Sequence, residues 1–216
     1  MAIAWAVPSE DDAETAVNAV IAAGRAAAAR HWVPATSGNF SVRIDETRVA
    51  ITRSGVDKGA LIPADVLIQS IDRPLLPGSS AEAALHLRLY ADSPEIGAIF
   101  HTHGLNATVI GRAHVADGAV TLHGWELQKA LAGITSHETH IEVPIFANDQ
   151  DVAALSLRVA DRLAEPPSAG HIRAPGYLLA GHGLYAWGRS AADAARHLEA
   201  FEVLFSQILL LRTYQP

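Results

Sequence analysis

Short apolar runs with strand character alternate with helical stretches along this chain, and that alternation restricts it to a layered α/β architecture. Ser9 followed by Glu10, Asp11 and Asp12 has the hydroxyl and early carboxylates of a helix N-terminus, so the alanine-rich run to about Arg30 reads as a helix. PATSGNFSVRI is a turn-rich loop entering a strand, and RVAIT at residues 48–52 is its partner across the polar turn Asp45-Glu46-Thr47. RSGVDKGAL forms a loop, DVLIQSI a strand, and Ser79 or Ser80 caps a helix expected from Ala81 to Tyr90. The strand GAIFHTH follows.

VTLHGWELQKALAG combines a short strand with a helical segment. THIEVPIF reads as an edge or interrupted strand, because Pro144 has no N–H to donate. Asp149 to Ala164 is helical. After EPPSAGHIRAPG, the segment YLLAGHGLYAWG gives two strands around a glycine-rich bend, and Ser190 with Asp193 forms a capping box for a last helix to about Leu211. No repeat or flexible linker interrupts the pattern, so one domain is expected over residues 1–216.

Composition narrows the function. Half of the 216 residues are hydrophobic, enough for a sizeable core, while a formal charge of −7 without a basic run gives no electrostatic footprint for nucleic acid. Partners are expected to be small molecules or protein chains, with Trp5 and Trp32 as candidate interface residues. The chain has no cysteine, which removes thiolate ligands and nucleophiles; a metal site must use His, Asp or Glu. The N-terminus lacks a secretory signal and no window reaches 18 apolar residues, so a soluble, cytoplasmic protein without membrane contact is expected.

IFHTHGLN, residues 99–106, holds two histidines one residue apart. On a strand, His101 and His103 share a face about 7 Å apart, with Thr102 turned away. Two imidazoles so arranged serve ordinary polar packing or converge on a cation. A catalytic metal site commonly takes three protein ligands, and among 11 histidines His182 stands out in Gly181-His182-Gly183, where glycines permit a close approach. Glu82, at the start of the helix after Ser80, is a candidate fourth ligand, and His86 follows it at i+4. The other histidines are expected to be packed or solvated.

Three small-residue loops complete the pattern: Thr36-Ser37-Gly38-Asn39, Arg53-Ser54-Gly55 and Gly78-Ser79-Ser80. Each is an ordinary turn by itself. Together their hydroxyls and N–H groups could cradle a phosphate beside a metal. None is a Walker loop or dinucleotide fingerprint.

The order SGN, SG, SSAE, HTH and GHG resembles the class II (zinc-dependent) aldolase and epimerase superfamily over nearly the whole chain, and the segments ATSGNFSVR, ITRSGVDKG, HGWELQKALAG, VPIFANDQD and GHGLYAWG are most similar to its dehydratases. That resemblance implies a three-layer α/β/α sandwich around a mixed, mostly antiparallel sheet. It implies metal ligation by His101, His103 and His182, most simply of one Zn2+ per subunit. Glu126 matches the dehydratases' acid/base. Gly38, Asn39, Ser54, Gly55, Ser79 and Ser80 match the phosphate loops, and Lys129 adds charge near a phosphorylated sugar. Glu82 matches a position that is acid/base or ligand in the aldolases. Homotetramers with sites near subunit interfaces are usual in the superfamily. The rival reading is an aldolase or 4-epimerase, and a non-catalytic binding protein of the same fold is a third.

Overall fold

A computed structural model describes residues 10–214 of the chain. The expected Ser9 cap and Trp5 interface lie outside the described residues.

Helix α1 runs Glu10–Ala29 and turns Ala16, Val20 and Ala27 into the core. Strands β1 (Asn39–Arg43) and β2 (Arg48–Thr52) form the expected hairpin. Its turn is closed by Asp45, whose Oδ1 accepts from the backbone N of Thr47 and Arg48 at 2.7 and 2.8 Å. Strand β3 (Val66–Ser70) pairs with β2. Helix α2 spans Ala83–Asp92, two residues later than expected at its start. Glu82 occupies the N-cap position, and Ser80 Oγ accepts from Glu82 N at 3.3 Å instead of capping the helix itself.

Then come β4 (Ala98–Thr102), α3 (Leu105–Ala113), β5 (Ala119–Leu122), a 3-10 turn at Glu126–Ala130 and β6 (His140–Phe146). Helix α4 (Val152–Ala164) is capped by Asp151, which accepts from Ala154 N at 3.0 Å. Strands β7 (His171–Arg173), β8 (Gly176–Leu179) and β9 (Gly183–Gly188) precede α5 (Ala191–Tyr214). Ser190 Oγ accepts from Asp193 N at 3.1 Å, as the expected cap requires.

The strands form one mixed sheet in the order β3-β2-β1-β4-β9-β8-β6-β5, with β7 also on β6. Only the β6–β7 and β6–β8 pairs are parallel among the described strands. Strand β6 is therefore internal, and its reading as an edge is corrected. Ile145 N donates to Gly118 O on the β5 side, so residue 144 faces the other side, where β6 changes partner from β7 to β8. Pro144 sits in that gap and breaks no ladder bond; the interrupted strand of the sequence reading is real.

Alternation along β4 separates the layers. Ala98 and Phe100 join the core beneath α1, α3 and α5 with Phe40, Leu184 and Phe201. Ile99 faces the opposite way, with Val49, Tyr177 and Tyr185, against Leu85 and Leu89 of α2 and Leu155 of α4. The result is the expected α/β/α sandwich. His101, two residues after Ile99, inherits the α2 side and comes level with Glu82.

Candidate metal centre

Four side chains from three separate parts of the chain converge at the end of β4. His101 pairs in register with Asn39 on one side and Tyr185 on the other, is fully buried, and stacks on the Tyr185 ring at 4.0 Å. Its Nδ1 lies 3.0 Å from the carbonyl of Leu184. A carbonyl can only accept, so the proton sits on Nδ1 and the Nε2 lone pair faces the cleft. His103 follows the strand end, its backbone N donating to Trp32 O at 2.8 Å. His182 lies in the β8–β9 bend, where Gly181 takes φ +68° and a Cβ on Gly183 would fall 2.0 Å from Thr102 O. The flanking glycines are thus needed to bring this turn against β4.

The donor atoms of Glu82, His101, His103 and His182 all lie within 4.8 Å of one another. His101 Nε2 is 3.0 Å from His103 Nε2 and 3.6 Å from Glu82 Oε2, and His182 Nε2 is 2.9 Å from Glu82 Oε1. Tetrahedral bonds of about 2.0–2.1 Å put neighbouring donors about 3.3 Å apart, so these separations suit one divalent metal ion. Protonation favours it too. Burial holds His101 well below the usual imidazole value, against the Glu82 carboxylate, which pulls it up, and with help from His103 and His182; burial and His182 bring His103 down to about 4. Burial alone would raise Glu82, but the His182 hydrogen bond and the three imidazoles outweigh it and bring the carboxyl down to about 2. Neutral imidazoles and an ionised carboxylate are the forms that ligate.

The loops expected at the phosphate adjoin this cluster. Asn39 Nδ2 donates to Glu82 Oε2 at 2.6 Å. Gly38, at φ +75°, lies against His101: a Cβ there would meet His101 O at 2.6 Å. Ser54 N donates to Gly78 O at 2.9 Å, Arg53 bridges Ser79, and Ser80 holds Glu82 N, so the 53–55 and 78–80 loops form one wall leading to Glu82. Gly55 stands at φ +72° on that wall, with open space where a Cβ would lie. Ser37 Oγ and Ser79 Oγ are buried without a hydrogen-bond partner among the described residues, as hydroxyls awaiting an acceptor would be.

Glu126 and Lys129 are not brought to the cluster within the chain. They pair with each other on the 3-10 turn after β5, four strands from β4 in the sheet order, with Glu126 73 % exposed and His137 Nδ1 3.9 Å away. The Lys129 contact lowers the Glu126 carboxyl, whereas an acid/base at neutral pH calls for burial that raises it. His86 turns inward to Ser41 Oγ at 2.7 Å and away from the ligand set.

Two residues of the site escape sequence reasoning. Asn148 Oδ1 lies 3.0 Å from His182 Nδ1 and fixes that ring. Lys58, 1 % exposed, sits beneath the 34–38 turn with its charge felt at Glu82 and His103. Their signal was only membership of VPIFANDQD and ITRSGVDKG.

The class II aldolase and adducin N-terminal domain family matches residues 18–209. A methylthioribulose-1-phosphate dehydratase of Bradyrhizobium sp. is 66% identical over 200 residues, 93% of each chain. One from Parvibaculum lavamentivorans is 50% identical over 200 residues, 93% of this chain and 95% of the relative. Among solved structures, L-fuculose-1-phosphate aldolase from Thermus thermophilus superposes with a TM-score of 0.74 at 27% identity, covering 94% of this chain and 98% of the other. The fold, the His/Glu cluster and these likenesses agree: the chain belongs to the class II aldolase family and, within it, to the hydro-lyases named methylthioribulose-1-phosphate dehydratases.

Proposed function

We propose that this protein removes water from 5-methylthioribulose 1-phosphate, a step of methionine salvage, giving 2,3-diketo-5-methylthiopentyl 1-phosphate, with one Zn2+ per subunit held by His101, His103 and His182. The observation that carries the reading is the convergence of those three imidazoles beside the serine-lined wall, in a chain 66% identical to a relative of that name. Zinc bound there would polarise the C2 carbonyl and ease loss of the neighbouring C3 proton.

The remaining work falls to side chains. Ser54, Gly55, Ser79 and Ser80, with Gly38 and Asn39, bind the phosphate through hydroxyls and N–H groups. Glu82, held by Asn39, is a fourth donor toward the cation or a local proton carrier. Glu126 takes the C3 proton and returns a proton to the departing C4 hydroxyl; the enol then ketonises. Its exposure in the single chain fits a role across a subunit boundary: in a homotetramer, Glu126 of one protomer enters the cleft of another, carrying Lys129 with it, and desolvation there raises its pKa.

Zinc-loaded protein should convert 5-methylthioribulose 1-phosphate with a rise in ultraviolet absorbance from the enol and diketone, lost on chelation. L-Fuculose 1-phosphate and L-ribulose 5-phosphate, run in parallel, address the aldolase and epimerase reading that the fuculose aldolase likeness favours. Cleavage or epimerisation of either without dehydration would overturn the proposal, and no turnover at all would leave the binding-protein reading.

A further inference from the structure

The turn before β1 holds two non-glycine residues in the left-handed region, Ala35 at φ 51° and Thr36 at φ 63°. For a β-branched threonine that conformation is an outlier, which persists only where surrounding contacts impose it. The contact here is Lys58. Its Nζ donates to Thr36 O and Val56 O, each at 2.8 Å, and the side chain is 1 % exposed. The ammonium therefore ties the 34–38 turn to the loop after β2. It is not paired with a carboxylate at salt-bridge distance among the described residues, and burial lowers its pKa. A buried cation satisfied mainly by carbonyls keeps an uncompensated desolvation cost.

What the turn touches gives that position its meaning. Directly after Thr36 come Ser37, whose buried hydroxyl lacks a partner among the described residues, Gly38 against His101 O, and Asn39 on Glu82. We infer that Lys58 is a positioning residue for the substrate cleft: its ammonium latches the strained Ala35–Thr36 turn and so sets where Ser37, Gly38 and Asn39 stand beside the ligand cluster. Lys58 spends two of its three N–H donors on protein carbonyls, and the groups it positions meet the phosphate. The inference rests on the reading of the cleft as zinc-bearing and phosphate-binding.

The test compares zinc-loaded wild type, Lys58→Met, Lys58→Gln and the double variant Lys58→Met with Thr36→Asn. Asparagine adopts left-handed backbone more readily than threonine and so relieves the strain that the latch holds. The readouts are zinc content, the rise in Tm caused by inorganic phosphate, and kcat and KM separately. Lys58→Met should keep its zinc, lose the phosphate-dependent rise in Tm, and raise KM by about tenfold or more with a much smaller change in kcat. Lys58→Gln, which keeps donors without charge, should fall between it and wild type, and the double variant should recover part of the phosphate effect. A Lys58→Met whose phosphate effect and KM stay within about twofold of wild type overturns the inference. So does a Lys58→Met that loses its fold without repair by Thr36→Asn, since the ammonium would then hold the core and not the turn. If wild type fails to dehydrate the methylthio sugar while its phosphate effect still depends on Lys58, the substrate assignment fails alone.

Discussion

Asn148 holds His182: its side-chain oxygen lies 3.0 Å from Nδ1 of the ring, which leaves Nε2 directed at Glu82 2.9 Å away. A partner of this kind fixes both the tautomer and the ring orientation of a ligating histidine. Asn148→Ala should therefore weaken binding of the proposed zinc by about 10–100-fold while far-ultraviolet circular dichroism stays unchanged. Competition against a chromophoric chelator measures it, and an unaltered affinity would show that the Asn148 contact does not matter to the metal.

The β8–β9 bend has no room for a side chain at the first residue of β9. A Cβ at position 183 would meet Thr102 O at 2.0 Å, and both are backbone-fixed by the β4–β9 pairing. Gly183→Ala should move the bend, costing about 1–3 kcal/mol in urea unfolding of the metal-free protein and lowering zinc content as His182 leaves the cluster. Wild-type stability together with full zinc would contradict the packing argument.

Glu202 of α5 is buried against the start of α3, where burial raises its carboxyl to about 7 although the N–H groups of Ala107 and Asn106 pull the other way. In the unfolded chain the same group has a pKa near 4.5. The folded state thus holds the proton more tightly, and the sign follows: this group's contribution is most favourable below about 4.5, falls as pH rises to about 7, and is level above that. The displacement corresponds to about 3 kcal/mol at most. Glu202→Gln cannot ionise, so its stability relative to wild type should improve between pH 5 and pH 8 in urea unfolding of the metal-free protein. A difference independent of pH would refute a raised pKa.

The parts of the site that local pattern could reach were legible in the sequence. Period-two alternation set His101 toward the cleft, His103 joins it from just past the strand end, and two glycines marked His182 at a bend. Asn148 and Lys58 were not legible, because each acts over 34 and 22 residues of chain on a partner that no local rule selects. Pro144 shows the same limit in the fold: a missing N–H announces an interruption, but only the sheet order reveals that β6 is internal and changes partner there. The segment around Glu126 was read correctly as strand and helical turn, yet its distance from the cluster is set by where β5 lies in the sheet.

That separation makes the role of Glu126 testable through assembly. Glu126→Gln should lower kcat by about 10²–10⁴-fold and keep zinc, since its carboxylate is remote from the ligand set in its own chain. His103→Ala should lose both zinc and turnover. If Glu126 serves a neighbouring protomer, the two defects lie on opposite sides of one site. Co-expressing both variants then rebuilds intact sites from the histidines of the Glu126→Gln chain and the glutamate of the His103→Ala chain. Random pairing at equal expression makes about a quarter of all sites intact, so the mixture should recover about that share of wild-type activity although each variant alone is nearly inactive. A mixture no more active than its components, with hybrid oligomers demonstrated by differential tagging, would confine Glu126 to its own chain. Unchanged turnover in Glu126→Gln alone would make its exposed pairing with Lys129 a surface contact with no part in the chemistry.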